Sequence, residues 1–109
     1  MIADLPKPIA NYVEANSRLD VDGMLHAFSP DAVVQDDGGR HQGHPELRRW
    51  IEESIVASKA VFTPDAMRHE DGQVVVEGLT FGAFKGSPLR FTLRFTLEGD
   101  AIRALEISL

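Results

Sequence analysis

The sequence predicts an α+β domain, in which three N-terminal helices pack on one face of a curved, mainly antiparallel sheet. Three observations carry that expectation. The 109 residues suffice for one domain with a single core, residues 1–109. The two halves differ in hydrophobic period, helical over residues 6–58 and alternating over residues 60–109. Short turn-forming clusters join the alternating segments, so neighbouring strands run antiparallel. Helices gathered before strands argue against a doubly wound α/β arrangement.

Taken in order, the first helix opens at Pro6 or Pro8, because proline is tolerated in a first helical turn. Ile9, Tyr12, Val13 and Asn16 then share one face. Asp20 caps a short second helix with an inner stripe of Val21, Met24, Leu25 and Phe28, and Ser29-Pro30-Asp31 ends it. Ala32 to Asp37 alternates as a short strand, with Val34 and Asp36 on one side and Val33, Gln35 and Asp37 on the other. Gly38-Gly39 stops the strand. A third helix starts at Pro45 and buries Leu47, Trp50, Ile51 and Ile55. Strands follow over 61–69, 73–84, 89–98 and 101–109. In the third of these, Leu89, Phe91, Leu93, Phe95 and Leu97 face one side, and Arg90, Thr92, Arg94 and Thr96 the other.

Composition narrows the function. Hydrophobic residues make up 43% and charged residues 26%, as in an ordinary globular protein. The absence of cysteine excludes disulfides, thiolate metal sites and a cysteine nucleophile. Seventeen acidic against 11 basic residues give a charge of −6, which disfavours nucleic acid and anionic membranes as partners. No apolar run approaches a membrane span. Met1 to Pro8 carries Asp4 and two prolines rather than a basic segment leading into an apolar one, so no secretory leader is expected and the location expected is cytoplasmic. No G-x-G-x-x-G, G-K-S/T or nucleophile-elbow pattern occurs, so no cofactor is expected.

The order helix, helix, strand, helix and strand meander resembles the nuclear transport factor 2-like superfamily, including the SnoaL-like cyclases and ketosteroid isomerases. The most specific part is residues 12–39: Tyr12-Val13, Asp20-Val21-Asp22-Gly23, then Phe28-Ser29-Pro30-Asp31-Ala32 and Asp36 at the strand end. It continues through Gly43 into the Trp50 helix. The resemblance implies a cystatin-like cone and a small-molecule enzyme, an isomerase, polyketide cyclase or dehydratase. It also implies a homodimer formed through the sheet face, where Arg90, Thr92, Arg94 and Thr96 would lie. Tyr12 falls where ketosteroid isomerases have their oxyanion-hole tyrosine, and Asp36 where they have their general base. The family's second donor, a protonated aspartate, should fall near Thr92 or Leu93, where this chain has no acid. The scaffold also hosts non-catalytic ligand-binding and dimerisation domains, which is the alternative reading.

Without the family, the residues leave two readings open. If Val34 faces the core, Asp36 enters the same apolar space, where lost hydration makes a carboxylate a plausible base. The plain alternative is a polar turn at a frayed strand end. Tyr12, on an apolar helix face, is either a core tyrosine bonded to a carbonyl or a donor aimed into a cavity. Val34, Trp50, Phe28, Phe62, Phe81 and Phe91 are the expected walls for a small apolar or carbonyl-containing ligand. His41 and His44 beside Asp36 and Asp37 invite a metal reading, but a glycine-containing loop fixes no ligand geometry, so none is expected. His44 is expected to lead into the third helix, and His41 to be solvated. Arg94 is expected to point away from Asp36 and Asp65, since it shares no face with Phe91 or Phe95.

Overall fold

The computed structural model describes residues 4–36 and 38–109. Helix α1 spans Lys7–Ser17, with Pro6 at its N-cap and Pro8 in its first turn. Burial of Ile9, Tyr12 and Asn16 confirms the face that their spacing predicts. Helix α2, Val21–His26, is capped by Asp20, whose carboxylate accepts from the Gly23 amide at 3.1 Å. Helix α3, His44–Trp50, buries Leu47 and Trp50. Before it, Glu46 reaches back 2.8 Å to the Gln42 amide and satisfies a donor at the helix start. The chain then widens into a π-helical segment, Ile51–Val56, closed by a five-residue bond from the Ala57 amide to the Glu52 carbonyl at 3.0 Å.

Six strands form one sheet in the order β2-β1-β6-β5-β4-β3. They are β1 (Phe28–Asp36), β2 (Gly39–Gln42), β3 (Val61–Glu70), β4 (Gln73–Phe81), β5 (Leu89–Glu98) and β6 (Ala101–Ser108). All neighbours are antiparallel except β1 and β6, which run parallel. Helices α1 to α3 pack on the inner face, and the core lies between them, with Ile9, Met24, Leu47, Val34 and Phe95 fully enclosed. The α+β class, the three helices and the curved, mainly antiparallel sheet are as the sequence predicts.

Three details differ. Phe28 and Ser29-Pro30-Asp31 begin β1 rather than extending and ending α2; an irregular register between Phe28 and Val33 absorbs the proline. Gly39 does not stop the strand but starts β2, because Asp36 pairs with Gly39 across a tight hairpin, with Gly38 at φ +78°. The intervening Asp37, the expected end of the strand, lies outside the described residues. Strand β4 ends at Phe81, three residues short of the expected end.

The sheet curves where β3 carries a bulge between Pro64 and Ala66. Gly78 sits opposite it, where a Cβ would collide with the Thr63 carbonyl oxygen and lie 2.8 Å from Pro64 Cα. A side chain is thus excluded at the bend by neighbouring backbone. On the outer face Arg90 makes a two-pronged pair with Asp65 at 2.8 and 2.9 Å. Arg68 joins Glu70 and Glu77, and Arg94 joins Glu70 at 3.1 Å, so Arg94 faces outward as strand alternation requires.

Candidate active site

Between the helices and the inner face of the sheet lies a cavity of about 770 Å³. Asp36, Tyr12, Trp50, Phe62 and Phe91 all line it. Asp36 is brought there by the pleat of β1: Val34, two residues earlier, is fully buried, so Asp36 turns inward as well. The Trp50 indole N–H donates to Asp36 Oδ2 at 2.9 Å. One carboxylate oxygen is thereby fixed while the other carries no hydrogen bond from a described side chain. Trp50 holds this position because α3 buries it against Phe28, with ring centroids 6.5 Å apart in an edge-to-face arrangement.

Tyr12 comes from α1 and is 3% exposed. Its ring packs edge-on against Phe28 at 5.6 Å and Phe95 at 6.1 Å. Every fully enclosed side-chain nitrogen and oxygen among the described residues has a hydrogen-bond partner. The Tyr12 hydroxyl has none among those residues, so it opens on the cavity rather than being sealed against a backbone carbonyl. Burial, and next the negative charge of Asp36, push its pKa well above the ordinary phenol value. The group therefore stays a protonated donor across the neutral range.

The other expected wall residues separate by strand parity. Val34 and Phe28 lie in the core beneath the cavity rather than on its surface. Phe81 is a correction: β4 turns Val74, Val76 and Thr80 inward, so Phe81 is left on the outer face, 46% exposed. Phe84, in the turn beyond the strand end, lines the cavity instead. Leu93 faces the cavity, whereas Thr92 pairs with outward Glu77, so the late-strand position presents no hydroxyl.

His41 is also corrected. It sits opposite inward-facing Val34 on the β1–β2 hairpin, so its ring joins the cavity wall, tilted over Trp50 with centroids 6.3 Å apart. The signal was the Asp37-Gly38 pair, which marks a two-residue hairpin and hence a second strand with its own parity. His44 opens α3 as expected, and its Nε2 lies 2.9 Å from the Phe28 carbonyl oxygen. Among the described residues no group of three histidine, aspartate or glutamate side chains could hold a metal ion. None of their helices is long and apolar enough to cross a membrane.

Asn16 is the residue whose role the sequence left unread. It is buried at the cavity edge, donating to the Ala60 carbonyl at 2.9 Å and accepting from the Phe62 amide at 2.7 Å. Its amide thus stands in for a neighbouring strand and ties α1 to the start of β3.

Comparison with known proteins agrees with this fold. A family model for the SnoaL-like domain matches residues 9–105. A solved Sinorhizobium meliloti protein, a candidate polyketide cyclase, is 36% identical, with a TM-score of 0.90 over 96% of each chain. A Catenulispora acidiphila protein with a ketosteroid isomerase-like fold, solved with trimethylamine, is 16% identical (TM-score 0.82, 95% of this chain and 85% of that one). The protein TerC, co-crystallised with polyporic acid, is 18% identical (TM-score 0.80, 94% of this chain and 87% of that one). No curated protein matches the chain. From the family match over most of its length, and the fold it shares with these structures, the chain belongs to the SnoaL-like domain family.

Proposed function

We propose that this protein is a small-molecule enzyme that moves a proton next to a carbonyl, as an isomerase, cyclase or dehydratase. The observation that carries the reading is a carboxylate, Asp36, held by the Trp50 indole in a largely apolar cavity that the Tyr12 hydroxyl also enters. Asp36 is the base: its Oδ1 takes a proton from the carbon beside the carbonyl, and the electron pair moves onto the carbonyl oxygen. Tyr12 donates to that oxygen as its charge grows, which is where a preorganised donor contributes most. Returning the proton from Asp36 to another carbon completes an isomerisation; giving it to a β-hydroxyl that leaves as water completes a dehydration; attack of the enolate on a second carbonyl, whose oxygen takes the proton, closes a ring. None of these steps needs an electron acceptor.

Leu93 at the late-strand position removes one oxyanion donor relative to the ketosteroid isomerase pattern. One donor suits a carbon acid that is already activated, such as a C–H flanked by two carbonyls or an aromatic ring. That favours cyclase-type substrates over simple enones. The resemblance to a candidate polyketide cyclase supports the same choice.

The test is deuterium incorporation at C1 of 2-tetralone, followed by NMR, beside binding of its enol mimic 2-naphthol, followed by Trp50 fluorescence and calorimetry. Wild type should accelerate exchange, and Asp36→Asn should lower the acceleration by about 10²- to 10⁴-fold. The same variant, which mimics the protonated base, should bind 2-naphthol more tightly, and Tyr12→Phe more weakly. Undiminished exchange in Asp36→Asn would remove the base from the reading. Binding by wild type with no exchange would favour a non-catalytic ligand-binding domain, the reading that the missing late-strand donor supports.

The outer sheet face carries the second part of the proposal, a homodimer. Leu79 and Phe81 are exposed there among the Arg68, Arg90 and Arg94 ion pairs, a mixed pattern that can meet a second copy of itself.

A further inference from the structure

The inward row of β4 is Val74, Val76, Gly78 and Thr80, and Thr80 is its one polar side chain. Thr80 is only 5% exposed and lines the cavity. Its strand neighbours are Phe62 on β3 and Leu89 on β5, both apolar. No described residue bonds its hydroxyl, although every fully enclosed side-chain nitrogen and oxygen among those residues has a partner, so the hydroxyl opens on the cavity. Valine has nearly the same shape and suits an apolar strand row better. The hydroxyl thus brings the fold no bond, and its use lies in the cavity.

Register locates it relative to the reacting end. Asp36 pairs with Ile107, Ile107 with Leu93, and Leu93 with Val76. Thr80 therefore lies three strands across from Asp36 and four residues along. With strands about 4.8 Å apart and about 3.3 Å per residue, the path between them along the sheet is about 20 Å, and the curvature of the sheet around the cavity shortens the direct line. The wall between them is apolar, built from Leu93, Phe91 and Leu89 on β5.

We propose that the Thr80 hydroxyl is a second polar anchor of the cavity, and that the ligand is an elongated, largely apolar molecule with a hydrogen-bonding oxygen at each end. The inference rests on the reading of Asp36 and Tyr12 as the reacting end, and it adds what the far end of the substrate carries. One oxygen lies at Tyr12 and is chemically changed. The other lies at Thr80, is left unchanged, and sets which molecules are held in register for the reaction.

A matched pair of rigid probes tests it: 4-phenylphenol, with one hydroxyl, and 4,4′-biphenol, with a hydroxyl at each end. Affinities are measured by calorimetry for wild type, Thr80→Val, Thr80→Ser and Tyr12→Phe. The symmetric diol gains about twofold statistically, and wild type should prefer it by about five- to tenfold beyond that. Thr80→Val should reduce the preference to the statistical factor while leaving 4-phenylphenol unchanged. Thr80→Ser, which keeps the hydroxyl, should keep the preference. Should Thr80→Val not fold, Thr80→Ala carries the same comparison. An equal loss for both probes in Thr80→Val would mean a packing role and would overturn the anchor. So would a wild type that does not distinguish the probes. In either case a Tyr12→Phe loss for both probes leaves the proton-transfer reading standing. Binding of neither probe to wild type would overturn the anchor and count against the reacting end as well.

Discussion

Tyr12 is the chain's only tyrosine, so its ionisation can be followed without interference from another phenol. In the unfolded chain the phenol titrates near its ordinary value of 10.0, and in the folded protein burial and Asp36 move it upward. The neutral form is favoured by folding, so this group's contribution to stability is fully present below about pH 10. It is lost as the pH rises from there towards the folded-state value, because only the unfolded chain gives up the proton. Absorbance at the phenolate wavelength should therefore stay flat past pH 10 and rise together with the loss of far-ultraviolet circular dichroism. Tyr12→Phe should lack this part of the alkaline destabilisation. A phenolate signal that rises near pH 10 with the fold intact would mean that the hydroxyl meets bulk water. At neutral pH the same substitution should lower exchange by about 10²- to 10³-fold, the usual consequence of removing an oxyanion donor.

Among the elements, α1 and β3 are joined by Asn16, and the join has a measurable strength. Asn16→Ala would leave the Phe62 amide and the Ala60 carbonyl without their bonds at a buried edge, at a cost of about 2–4 kcal/mol. Chemical denaturation should show that loss, with the slope against denaturant unchanged. A loss under about 0.5 kcal/mol would mean that water replaces the amide. This junction also shows why some of the molecule was legible in the sequence and some was not. The helix stripes and the alternation of β5 were readable, because the 3.6 and 2.0 periods act within each element. Asp36 followed from Val34 by the same parity. The join at Asn16 was not readable, because it depends on which strand comes to lie beside α1, a contact 46 residues away in the chain. Phe81 was misplaced because β4 was assigned no parity, and Thr80, one residue away, was passed over for the same reason. His41 was missed when the hairpin of β1 and β2 was taken for a loop. The π-helical widening after Trp50 has no period of its own to detect.

At the scale of the whole molecule, the two faces of the sheet differ: the inner face encloses the cavity and the outer face carries exposed ion pairs with Leu79 and Phe81. The outer ion pairs are solvent-exposed and contribute little to stability one by one. They hold Arg68 and Arg94 on either side of fully buried Val75, and Arg90 beside Leu79. An ordered face loses less conformational entropy on association than a mobile one. Alternating charges also let the same patch pair with itself about a twofold axis, while Leu79 and Phe81 supply apolar contact. Analytical ultracentrifugation should then give twice the 12.0 kDa chain mass for wild type. Phe81→Glu sets a buried carboxylate on each copy and should give the single-chain mass with an unchanged circular dichroism spectrum. Because Phe81 lies on the face opposite the cavity, the monomeric variant should bind 2-naphthol as wild type does. A wild type that sediments at the single-chain mass at about 100 micromolar would leave this face to solvent, since an interface of standard size holds well below that concentration.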